Sequence, residues 1–137
     1  IKLFSFCMQL LKKLANLLVS KFGPKEQRVK LLFDHHFFSN KYYLHKSANK
    51  QNLARILNIT NIELDNLTLK NFEIGFDALI EMYRFQHFWD EFTNPVNAHL
   101  PIQSIISICG FSSNQEFNNL IADHKEASKM ILKKTFV

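Results

Sequence analysis

Glycine and proline are scarce in this chain, three of each in 137 residues. So few turn-formers exclude the many short strands and tight hairpins of a sandwich or barrel, and they leave no Gly-rich loop to cradle a phosphate. Cysteine is equally thin. Cys7 and Cys109 form no CxxC and no disulfide or zinc framework. Both fall in apolar helical stretches, which reads as reduced core thiols in a cytoplasmic protein. No apolar run reaches membrane-spanning length, because Lys12 and Lys13 interrupt the longest. Catalytic patterns are missing as well: Asp77, Glu81, Asp90 and Glu91 fall beside apolar residues with no Ser/His/Asp set near them. His35, His36 and His45 have no Cys or acidic partner at a metal-binding spacing. Neither an enzyme, nor a metal, nor any other cofactor is expected.

What is abundant is apolar and aromatic. The chain is 47% hydrophobic and contains fourteen Phe, enough for one compact helical core packed through aromatic anchors. The net charge of +5 is unevenly spread. Residues 1–43 hold eight Lys/Arg and two acids, whereas 44–137 hold nine Lys/Arg and ten acids. The later part is therefore not basic, which limits phosphate neutralisation there.

Residues 101–120, PIQSIISICGFSSNQEFNNL, read as helix, glycine turn and second helix. Ile102, Ile105, Ile106 and Cys109 recur at helical spacing, Gly110 can leave the helix with positive φ, and Phe111 returns to the core. Ser113 and Glu116 have capping-box spacing before a stripe of Phe117, Leu120 and Ile121. The opposite face carries Asn114, Gln115, Asn118 and Asn119, amides that suit base edges in a major groove and suit solvent equally well.

The same plan occurs in residues 51–67, QNLARILNITNIELDNL. Leu53, Ala54 and Leu57 line a first helix, Asn58-Ile59 makes the turn, and Thr60 with Glu63 offers a second capping box before Leu64 and Leu67. Leu53 to Ile59 and Ile105 to Phe111 are both steps of six, but the second copy is one residue longer past the turn. Between the copies, residues 75–92 place Phe76, Leu79, Ile80, Tyr83, Phe88 and Phe92 at helical spacing, a long linking helix. Arg84 on it reads as a structural tie or a phosphate contact.

Two such units joined by a helix resemble the DNA-binding domain of the AraC/XylS family of bacterial transcriptional regulators, over roughly residues 43–132, with a Bacteroidetes-type look. Leu53-Ala54, Tyr83-Arg84, Ile105 with Gly110-Phe111, and Phe117 carry the resemblance in order. The chain departs from the family at Ile121-Ala122-Asp123, where an aromatic and lysines are usual. It departs again at Phe88 and at Glu126-Ala127-Ser128-Lys129, where the family has a small alanine and a Gly-x-Thr-Pro element. The implied fold is all-α: two helix-turn-helix units joined by a long linking helix and preceded by an N-terminal amphipathic helix pair. The expected organisation is 1–42 for those helices and their connector, 43–132 for the double unit, and 133–137 for a tail. The implied partner is double-stranded DNA, with recognition helices near 61–70 and 113–122. Asn61, Asn66, Asn114, Gln115 and Asn118 are the candidates for base edges, and Arg55, Lys70 and Ser112 for the phosphate backbone. The rival reading is a degenerate helix-turn-helix module that binds protein and not DNA.

Residues 1–22 place Phe4, Cys7, Leu11, Leu14, Leu18 and Phe22 on one face and Lys2, Ser5, Gln9, Lys12, Asn16 and Ser20 opposite. It reads first as packing on the domain or as a homodimer contact, with a membrane-surface helix or the remnant of a longer membrane or sensor region as the alternatives. Gly23-Pro24 is expected to end this helix, with a short polar connector and then a helix over 26–38 that buries Val29, Leu32, Phe33 and Phe37. Starting at Ile1 and not Met, the chain reads as a fragment or processed form of a longer regulator.

Overall fold

The computed structural model describes residues 2–21, 23–124 and 129, the side chains of 18–21 excepted. All regular structure among them is helical. The chain divides into two compact units, residues 1–40 and 41–137.

The first unit holds α1 (Lys2–Lys21) and α2 (Pro24–Asp34), followed by a π-helical turn at His35–Ser39. Four expectations change here. No polar connector follows Gly23, because Pro24 occupies the first turn of α2, where its missing N–H costs nothing. The helix expected to run to Phe38 instead widens at His35, with the Asn40 N–H reaching the His35 carbonyl at 3.0 Å. That wider turn lets the consecutive Phe37 and Phe38 both touch Phe33, with ring centroids 5.1 and 6.2 Å from it. Val29, Phe33 and Phe37 are buried as expected, but Leu32 is exposed. Cys7 is exposed too, not a core thiol, because the whole described face of α1 lies open. The faces expected for Leu18, Ser20 and Phe22 concern side chains outside those described.

The second unit opens with a 3-10 turn at Tyr42–Leu44, then α3 (Lys50–Leu57) and α4 (Asn61–Phe72), the long α5 (Phe76–Thr93), a 3-10 turn at Pro95–Asn97, and α6 (Ile102–Ser107) and α7 (Asn114–Ala122). Asn49 caps α3 by accepting from the Asn52 N–H at 2.8 Å, and Asn58 ends it in the left-handed region at φ 55°. Asparagine tolerates that conformation better than other side chains, so the turn into α4 is tight. Thr60 then closes a complete capping box with Glu63. Leu53, Ala54, Leu57, Leu64, Phe76, Leu79 and Ile80 are buried where α3, α4 and the first half of α5 meet. Thr68, not Leu67, completes the α4 stripe, and its hydroxyl is satisfied by the Asp65 carbonyl at 3.0 Å.

The second half of α5 builds another core with α6 and α7 from Phe88, Phe92, Ile105, Ile106, Cys109, Phe111, Phe117 and Ile121. Phe117 packs on Phe88 at 4.6 Å and on Phe111 at 5.3 Å between centroids. Phe88 therefore sits fully buried between α5 and α7. The expected element at 126–129 and the tail at 133–137 lie outside the described residues, Lys129 apart.

Candidate nucleic-acid interface

Two short helix pairs, α3–α4 and α6–α7, pack along α5, and one buried guanidinium ties the segment before the first pair to α7 of the second. Arg84 projects from the middle of α5 and is 4% exposed. Its Nε donates to the Tyr43 carbonyl at 2.7 Å, and Nη2 donates to the carbonyls of His45 at 3.2 Å and Ala48 at 3.3 Å. Its Nη1 pairs with Glu116 Oε1 on α7 at 3.1 Å. A planar fork with several donors suits this task in a way lysine does not. All three guanidinium nitrogens are engaged internally, so Arg84 is a structural tie and is not presented to a phosphate.

Gly110 adds a second clamp. It sits at φ +86°, and a Cβ there would come within 2.8 Å of Leu44 Cα and closer still to the Tyr43 carbonyl oxygen. The turn of the second pair thus lies directly against the backbone that leads into the first. Only glycine meets both the positive φ and the approach.

The N-termini of α4 and α7 are shaped by acids turned toward internal donors. Glu63 Oε2 accepts from the Thr60 N–H at 3.2 Å. Asp65 accepts from the Phe76 N–H at 3.1 Å and pairs with Lys50 at 2.8 Å, which also reaches Asp77 at 3.2 Å. The Lys50 ammonium beside it holds the Asp65 carboxyl below the usual carboxylate range, and Asp65 in turn raises Lys50. The expected Ser113–Glu116 box is only half formed: Ser113 Oγ accepts from the Glu116 N–H at 3.1 Å, but the carboxylate reaches one residue further back. It accepts from the Ser112 N–H at 2.8 Å and the Ser112 hydroxyl at 2.6 Å while its other oxygen holds Arg84.

No family model, curated protein or solved structure matches this chain. The interface is therefore argued from its own residues. Arg55 is exposed in the last turn of α3; Asn61, Asn66 and Lys70 are exposed on α4; Asn114, Gln115 and Asn118 are exposed on α7. Ser112 is exposed in the turn before α7, but both of its donors go to Glu116. Gln115 bonds to Asn119 across one turn at 3.2 Å. The two groups stand on separate helices. The open face of α7 bears four amides, Ala122 and no charged side chain, whereas that of α4 mixes Asn61, Glu63, Asn66 and Lys70 with the apolar Ile62 and Leu69.

Ile62 and Leu69, 73% and 50% exposed, escape a sequence reading that treats apolar residues as core. The signal was their offset from the Leu64–Thr68 stripe. Among the described residues no group of three or more His, Cys, Asp or Glu gathers in a way that could hold a metal ion. No described helix is long and apolar enough to cross a membrane.

Proposed function

We propose that the protein is a sequence-specific, double-stranded-DNA-binding transcriptional regulator of the AraC/XylS type, acting in the cytoplasm without a cofactor. The observation that carries this reading is the pair of capped helices, α4 and α7, whose acids are drawn to internal donors while their open faces carry amides. Asn61 and Asn66 on one, and Asn114, Gln115 and Asn118 on the other, read base edges in successive major grooves about 34 Å apart. Ile62, beside the N-terminus of α4, suits the methyl group of thymine. Arg55 and Lys70 position the backbone, and α5 with Arg84 sets the spacing between the helices.

A second reading has its own observation. Residues 41–124 hold six Lys/Arg against nine Asp/Glu, and Lys50 and Arg84 are engaged internally. Together with exposed Ile56, Ile62 and Leu69, this favours a module that binds protein. Selection from a random duplex pool at low and then physiological salt separates the two. A motif with two half-sites about one helical turn apart, weakened about tenfold or more by Asn114→Ala, supports the regulator. Lys70→Ala should lower the salt slope by about one unit. No retention even at low salt overturns DNA binding.

A further inference from the structure

The open face of α1 is too wide and too basic to be an ordinary core-facing stripe. At about 100° per residue, the apolar side chains of residues 3–17 sweep roughly 200° of the helix, twice the stripe that one packing neighbour covers. Leu3, Phe4, Phe6, Leu10, Leu11 and Leu14 are all exposed, from 44% to 78%. The residues of α1 include four lysines and no acid. Lys12 and Lys13 fall at the two edges of the remaining polar arc, roughly 100° apart, where long stems lie along an apolar surface and lift the ammonium into water. Two such helices side by side would bring like charges together, and a narrow seam between them would leave half of the apolar arc uncovered.

We propose that α1 binds the surface of an anionic lipid bilayer, lying in the interface plane. Leu10 and Leu14 enter the acyl boundary, and Lys2, Lys12 and Lys13 meet acidic headgroups. A bilayer covers a wide apolar arc without a matched partner helix, and its negative charge complements the lysines. The helix lies on the membrane and does not span it.

The test is sedimentation of the full chain with vesicles of phosphatidylcholine containing 30% phosphatidylserine, and with phosphatidylcholine alone, together with sedimentation velocity without lipid. The expected result is binding to the anionic vesicles, weakened by salt, and about thirty-fold weaker for Lys12→Ala with Lys13→Ala. Leu10→Glu with Leu14→Glu should abolish it. These side chains are exposed, so the variants should retain the circular dichroism of the parent and bind duplex DNA as the parent does. Equal binding to neutral vesicles overturns the headgroup assignment. No vesicle binding, or a lipid-free oligomer that Leu10→Glu with Leu14→Glu dissolves, overturns the proposal and assigns the face to a second copy of the chain.

Discussion

Replacing Arg84 with methionine tests whether one guanidinium holds the second unit together. Methionine keeps much of the length and apolar stem but removes the four donations to the carbonyls of Tyr43, His45 and Ala48 and to the carboxylate of Glu116, although His45 still accepts from the Ala48 N–H and Glu116 from Ser112. Hydrogen bonds to charged groups contribute about 1.5–3 kcal/mol each, but the four are not additive, and the Glu116 side chain, 27% exposed, can recover water. Removing one partner of a buried pair typically costs about 3–5 kcal/mol, and the lower half of that range is expected here. Against a total of about 5–15 kcal/mol, that is a large share. Urea titration followed by circular dichroism at 222 nm should show the midpoint fall by about 1–2 M. Arg84→Lys should recover less than half, because one ammonium cannot span four acceptors. Combining Arg84→Met with Glu116→Gln should give a coupling of about 1 kcal/mol. A loss below about 1 kcal/mol for Arg84→Met would refute the reasoning, since the carbonyls would then find water at little cost.

Gly110→Ala should destabilise the unit by about 3 kcal/mol or more, read by the same titration, because the added Cβ meets both positive φ and the 43–44 backbone. The Lys50–Asp65 pair gives a pH signature: Asp65 is depressed in the folded state, so its stabilisation is present above the unfolded carboxyl range and lost as pH falls through the lower folded value. Asp65→Asn should lower stability at pH 7 and flatten the fall below about pH 4; an unchanged acid limb removes the pair from the account. At pH 8, alkylation should modify one thiol per native chain, exposed Cys7, while Cys109, buried and pushed up to about 12, reacts only on unfolding. Labelling of both at equal rates contradicts the packing of α6.

The helices of the second unit were legible because their signals are local. Thr60 and Glu63 stand three apart, Asn58 and Gly110 mark left-handed exits, and the apolar spacing names α5 from Phe76 onward. The ties between helices were not. Arg84 finds Tyr43 41 residues back and Glu116 32 ahead, and no periodicity encodes such a match. Ser112 illustrates the same limit: its place before a recognition helix suggests backbone positioning, but Glu116 claims its donors. For α1 the pattern shows a face that needs covering and leaves its cover unnamed. The π turn escaped because it goes with the mutual packing of Phe33, Phe37 and Phe38, which helical periodicity does not encode.

Because the Arg84 fork reaches the segment before α3 and also α7, opening either end leaves a buried guanidinium short of an acceptor. Native-state hydrogen exchange should therefore find the slowest amides of α3–α4 and α6–α7 opening with one common free energy, as a single foldon. A piece cut after Thr93 would lose the Glu116 end of the fork and expose Phe88 and Phe92, so the repeated architecture does not confer the independence of a true repeat protein.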